Sequence, residues 1–460
     1  TSNMFADYYG DLRSLQDTVP RTNLEYVLLS PPTRSFYFNE PKLPGLRRES
    51  GSRGDFRMDR FVATDVPGLL TEPGMPGITE VAPYLHVSTY RDWQQVGRWY
   101  WGLVQDQLYA DARLKKTVRK LVKGSRNNRE IVERIHGWVL RETRYVALEF
   151  GIHGYLPYRV PTIVRRGFGD CKDKASLIYT MLREAGVEAR IVLVRTRRNG
   201  AINDLPASLA VFDHAIAYVP EFEMFLDGTA EHSGTQELPG ADQGVTSLVI
   251  GPDSVRLQQI PVSKATQNER SRALDLHLSA SGDARIKVEE QVQGVEAPPY
   301  RARYQAVGLR AERLEAQLAN SYPGLTLENH SFEQLDALEK PVKLRYELRA
   351  PQLAKVEGDG LRMAPSLMSD LLRALARSPE RRLPLELGVP RSYREQRRIT
   401  LPLGMRVASL PPGGEVASPF GKLELRFARE NDKLVASTHF ELSTDRVAAI
   451  DYPAFRSWVE

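Results

Sequence analysis

The sequence predicts an α+β fold in which a mixed core lies between β-rich flanks, and three observations predict it. Apolar residues recur at helical spacing from about residue 89 to 142, and again at 177–182. Period-two alternation governs the stretches before 85 and after 270. At 460 residues the chain exceeds what one hydrophobic core organises, so several domains are expected.

Taken in order, residues 1–85 are rich in Pro, Gly and Arg, with alternations at Leu24, Tyr26, Leu28 and around Phe36-Tyr37-Phe38. They predict short strands and long loops, the remnant of an N-terminal β-domain. The expected core spans 86–260. Its first helix follows Ser88-Thr89-Tyr90-Arg91-Asp92 and carries Trp93, Val96, Tyr100, Leu103, Val104 and Leu108, a stripe that reads as core packing. A second helix is expected from Asp111 to Lys123, stopped by Gly124, and a third from Asn127 or Asn128 through Val139. From Thr143 to Gly200 the pattern turns mixed, with a strand at Ile191-Val192-Leu193-Val194, and further strands are expected at 209–219 and 222–227. Residues 261–460 predict a C-terminal β-rich domain. Helical insertions are expected near 300–320 and 365–377, and strands at 342–348, 397–407, 423–427 and 433–442.

Composition excludes several classes of function. Apolar residues make up 42% and charged residues 26%, ordinary for a folded protein, and no run is long enough to span a bilayer as a helix. The 63 basic residues face 58 acidic ones, so the net charge of +5 is no sign of a nucleic-acid partner. Lys115, Lys116, Arg119, Lys120 and Lys123 read as a solvated helix face. One cysteine in the chain rules out internal disulfides and multi-cysteine zinc sites. No EF-hand spacing implies calcium, so the expectation is a protein without metal or cofactor.

That single cysteine lies in Arg166-Gly167-Phe168-Gly169-Asp170-Cys171-Lys172-Asp173-Lys174, ahead of the periodic run Leu177, Ile178, Met181, Leu182. Asp170 can cap a helix whose first turn holds Cys171, where the positive helix end favours a thiolate and free N–H groups can meet an oxyanion. Gly169 lets a substrate carbonyl come close. Downstream, His214 opens the apolar strand Ala215-Ile216-Ala217-Tyr218-Val219, and Asp227 ends Phe225-Leu226. If those strands pair as a hairpin, the imidazole and the carboxylate meet, giving a base and the group that orients it. Each signal alone also fits an ordinary structural residue. Tyr145 is a candidate oxyanion donor that reads first as a packed strand residue, and His153 could line the cleft or sit in a loop. Asp173 and Lys174 read as capping and pairing residues of the helix.

Gly169-Asp170-Cys171-Lys172-Asp173-Lys174-Ala175, with Asp213-His214-Ala215 and Leu226-Asp227-Gly228-Thr229, resembles the transglutaminase-like superfamily. The resemblance extends to Thr143-Arg144-Tyr145-Val146 and Ser88-Thr89-Tyr90-Arg91-Asp92-Trp93. The ending Asp451-Tyr452-Pro453-Ala454-Phe455-Arg456 is similar to the closing β-domain of a bacterial branch in which a β-domain of unknown function precedes the core. The resemblance implies a papain-like core with sandwich-like flanks, Cys171 as nucleophile, His214 as base and Asp227 as orienting acid. It also implies a protein or peptide substrate, acyl transfer on an amide through a thioester, and a periplasmic or cell-envelope setting. The rival expectation is a catalytically silent binding or scaffold module of the same fold.

Overall fold

A computed structural model of the chain describes residues 8–147, 151–203, 205–364, 371–430 and 433–460. Two compact units divide it, Thr1–Glu231 with Ala241–Pro261, and His232–Gly240 with Val262–Glu460.

The first unit is built on a five-stranded antiparallel sheet in the order Met224–Leu226, His214–Val219, Arg190–Val194, Thr246–Ile250, Val255–Gln259. Except for the edge strand Val255–Gln259, its strands are almost continuously apolar and buried, the pattern of a sheet interior rather than a half-wet face. Besides the short helices Ile78–Val81 and Val160–Arg166, four helices accompany it: Trp93–Val104, Ala112–Val122, Asn128–Glu142 and Cys171–Glu184. Each begins at an acidic or amide cap, namely Asp92, Asp111, Asn127 and Asp170, which accepts the backbone N–H three residues on. Val96, Leu114, Val118, Val132, Ile135, Leu177, Ile178 and Met181 then fall on their inward faces and share one core with Ile191, Leu193, Ala217 and Leu248. At Gly97 a Cβ would stand 2.3 Å from Val255 Cγ1, so only glycine lets that helix settle against the edge strand.

The N-terminal stretch is more regular than the sequence suggests. Arg21–Ser30 pairs with the long strand Phe56–Val66, which also pairs with Arg47–Arg53. Gly10–Ser14 and Tyr37–Phe38 flank Tyr84–Ser88. Leu15, Leu28, Phe61, Leu85 and Val87 give these strands a core of their own. The expected strand at 209–219 is shorter, because Leu209–Val211 closes as a 3-10 turn and extended pairing starts at His214.

The second unit carries an eight-stranded sheet, from Thr326–Glu333 through Val342–Ala350, Ala284–Val292, Glu269–Leu278, Arg391–Thr400, Lys433–Leu442 and Gly421–Glu430 to Gly414–Ser418. Neighbours run antiparallel except Glu269–Leu278 with Arg391–Thr400. Helices Ala297–Tyr304 and Arg310–Leu318 cover one part, and Tyr452–Val459 packs Phe455 near Phe440 and Leu442. The expected strand 397–407 ends at Thr400, where Pro402 and Gly404 break the pattern. Of the expected helix 365–377, residues 365–370 lie outside the described residues, and Leu371–Leu375 is helical. No helix among the described residues is long and apolar enough to cross a membrane.

Candidate active site

Cys171 is the first residue of its helix. Asp170 and Asp173 form a reciprocal cap, Asp173 N–H donating to Asp170 Oδ1 at 3.2 Å and Asp170 N–H to Asp173 Oδ2 at 3.4 Å. Lys174 N–H reaches Asp170 C=O at 3.0 Å. The backbone N–H groups of Cys171 and Lys172 have no such partner among the described residues and point from the helix end. The cap is itself braced. Arg166 forms an ion pair with Asp173 and stacks over Tyr158 and Phe168, Tyr158 N–H donates to Asp173 Oδ1 at 2.8 Å, and Lys172 pairs with Asp170. Gly169 is required by the same cap, since a Cβ there would lie 2.6 Å from Asp173 Cβ.

Sheet register brings the other two groups in. Ala217 pairs with Leu226, so period-two alternation puts His214 on the face to which Asp227 is directed. His214 Nε2 stands 3.3 Å from Asp227 Oδ1, and the imidazole also bonds the Cys171 sulfur. With Nε2 committed to Asp227, Nδ1 is the ring nitrogen available to sulfur. Burial disfavours the imidazolium, but the hydrogen bonds to Asp227 and Cys171 and the charges of Asp227 and Asp242 outweigh it, raising His214 to about 11. Asp227 is pulled below the usual carboxylate range: burial opposes its charge, while His214 and the Thr229 N–H and hydroxyl bonds, at 2.7 and 2.8 Å, hold it. His136 Nε2 lies 3.2 Å from the Asp227 carbonyl and anchors its backbone.

Cys171 and His214 stand at a cavity of about 270 Å3 whose lining also includes Tyr100, Tyr155, Leu209 and Phe212, and Asp227 lies outside that lining. The other sequence candidates are placed elsewhere. Tyr145 pairs through its backbone with Gly169 in a two-residue parallel bridge, and its side chain is exposed. His153 donates through Nδ1–H to the Leu156 carbonyl at 2.9 Å and stacks on Tyr158; its neighbours Gly154 and Tyr155, rather than His153 itself, face the cavity. Lys174 makes no pair along its helix. It is fully buried, donates to the Thr143 carbonyl at 2.6 Å, and burial lowers it to about 8 against the pull of Glu231 and Asp227.

Asp242 is the residue that sequence reasoning missed. It is 2% exposed, and its carboxylate lies with His214 and Asp227 such that one ligand atom of each falls within 4.8 Å of the others. Burial, then the charges of Asp227 and Asp213, hold it up at about 7, although His214 pulls the other way. Nothing in Gly240-Ala241-Asp242-Gln243-Gly244 marks it; only the fold brings it beside the His–Asp pair. The same three groups are compact enough to ligate a divalent metal, but a metal would compete for the His214 nitrogen and Asp227 oxygen already bonded to each other.

Comparison with known proteins bears on this arrangement. Residues 115–224 match the transglutaminase-like superfamily, and residues 361–460 match DUF3858, a domain of unknown function for which structures are solved. A crystal structure of a candidate protease from Parabacteroides distasonis superposes with a TM-score of 0.66 at 15% identity, covering 98% of this chain and 72% of that one. A candidate cysteine protease from Cytophaga hutchinsonii shares 16% identity over 55% of this chain and 91% of its own, with a TM-score of 0.21 that is too low to bear on the fold. No curated protein matches the chain. Residues 115–224, which hold Cys171 and His214, are thus the part of the chain that matches the transglutaminase-like superfamily.

Proposed function

We propose that the chain is a cysteine-dependent enzyme that cleaves or transfers the acyl group of an amide, with Cys171 as nucleophile, His214 as proton carrier and Asp227 as the group that orients it. The observation that carries the reading is the unbroken line from the Cys171 sulfur through the His214 ring to Asp227, opening on a cavity at a helix N-terminus. Sulfur attacks the amide carbonyl carbon, a C–S bond forms and the carbonyl π pair moves to oxygen. When that pair returns, the C–N bond breaks and His214 gives its proton to the departing amine. Water or a second amine then attacks the thioester, His214 takes up a proton, and sulfur leaves. Asp227 keeps one ring edge fixed throughout. No step calls for a cofactor.

The cavity suits one side chain next to the reacting carbonyl, and Tyr155, Leu209 and Phe212 favour an apolar or aromatic one. A peptide or protein substrate resolved by water fits this setting, and the protease description of the Parabacteroides distasonis structure agrees with it. The test is mass spectrometry of a peptide library incubated with the protein and with Cys171→Ala. New N-termini, carboxamides converted to acids, or isopeptide cross-links should arise only with the intact thiol. A library left unchanged, with no acyl adduct trapped on Cys171, overturns the reading.

A further inference from the structure

Tyr100 belongs to the apolar stripe that the sequence assigns to core packing, yet its setting is unlike that of its neighbours. It is 2% exposed, and among the described residues its hydroxyl has no hydrogen-bond partner. The oxygen is not one of the sealed, unpaired polar atoms of the described residues, so this hydroxyl is left open to solvent space rather than shut in the packed interior. The ring lies in the wall of the Cys171 cavity. After burial, the neighbours that act on the hydroxyl are Cys171, Asp170 and Asp173, the very end of the nucleophile helix. It is close enough to feel those charges without being bonded to the sulfur, and both side chains line the same cavity.

Resting on the nucleophile assignment above, we propose that the Tyr100 hydroxyl and the Cys171 backbone N–H together bind the substrate carbonyl oxygen as it becomes an oxyanion. The two donors belong to different elements. The amide comes from the helix end, where it has no backbone partner among the described residues, and the hydroxyl comes from helix Trp93–Val104, whose Tyr100 lines the same cavity as Cys171. Burial and the surrounding negative charge raise the phenol, so it stays protonated and acts only as a donor toward oxygen. Gly97, one turn earlier, sets the depth of this donor, since the close seat on Val255 fixes how far the helix carries Tyr100 inward. The sequence had offered Tyr145 for this role, but that side chain is exposed.

The test compares two reagents that use the same sulfur differently. Iodoacetamide alkylates Cys171 by displacement of iodide, and no oxyanion forms. With 4-nitrophenyl acetate, sulfur adds to the carbonyl, the π pair moves to oxygen, and its return expels 4-nitrophenolate to leave an acetyl thioester. Tyr100→Phe should slow acetylation on the order of 10²-fold, the loss typical of one oxyanion donor, and leave alkylation within about twofold. The variant should also melt at the parent's temperature, because the hydroxyl it removes makes no hydrogen bond among the described residues. Equal rates for both reagents in parent and variant overturn the role, and so does a parallel loss of both, which would mean that Tyr100 acts through the thiol or the fold. If the parent's folded Cys171 reacts with neither reagent, the nucleophile assignment itself fails, an outcome distinct from the other two.

Discussion

Replacing Asp227 by Asn tests the charge relation at the heart of the site while sparing its shape. His214 rises from 6.5 to about 11, which at about 1.4 kcal/mol per pH unit favours the imidazolium by about 6 kcal/mol. Burial opposes that rise; Asp227 supplies the first of the hydrogen bonds and charges that produce it, ahead of Cys171 and Asp242. Assigning Asp227 half of that net rise gives about 3 kcal/mol, or roughly 10²-fold in any rate that requires the charged ring. The amide also presents an N–H where the carboxylate accepted from Thr229, so ring orientation suffers further, and a loss of up to about 10⁴ in acyl transfer is reasonable by analogy with other triads. The assay is alkylation of Cys171 by iodoacetamide at about pH 6, followed as one adduct per chain and compared with glutathione, with histidine NMR to follow the ring. The parent should label far faster than glutathione, whose thiol is almost wholly protonated there. Asp227→Asn should lose most of that advantage and titrate His214 back toward neutrality. A folded Asp227→Asn protein with the parent's labelling rate and His214 titration refutes the reasoning.

Other outcomes follow from the same geometry. Asp242 is held up at about 7, above the unfolded value near 3.9. Its penalty is therefore absent below about pH 4, grows as pH rises toward 7 and is constant above that, with His214, Asp227 and Asp213 as the facing charges. Asp242→Asn should consequently gain stability relative to the parent from about pH 4.5 to pH 8, read as urea midpoints; an equal difference at both pH values would count against it. Gly169→Ala forces a Cβ to within 2.6 Å of Asp173 Cβ, so the cap should loosen by about 1 kcal/mol and Cys171 should label more slowly, unless thermal melting and labelling stay unchanged. In the second unit, Arg301 is 1% exposed and holds Glu237 together with the carbonyls of His232, Leu338 and Lys340. Arg301→Ala strands a buried carboxylate and should lower stability by about 3–5 kcal/mol in denaturant unfolding, whereas a change under about 1 kcal/mol would show that the pair adds little.

The likeness of residues 115–224 to the transglutaminase-like superfamily and the α+β fold class were legible in the chain because their signals are local. The Gly-Asp-Cys turn, the caps Asp92, Asp111 and Asn127, and the periodic faces of the helices each depend on residues a few positions apart. His214 and Asp227 could be named because each sits at the end of an apolar strand, but their separation of 3.3 Å follows from the Ala217–Leu226 register, a long-range pairing. Asp242 and Tyr100 lay beyond sequence reasoning for the same reason. An acid in a Gly-rich loop and a tyrosine in an apolar stripe look ordinary until strand order and helix docking carry them to the nucleophile. The cap of the Cys171 helix looked like two carboxylates, yet Arg166 and Tyr158, brought in from the preceding loop and helix, brace it. Local propensity and periodicity thus determined which elements form and which residue types could act. Only tertiary packing decided which side chains meet, because burial, register and the exclusion of water set both their distances and the charge that His214 and Asp242 carry.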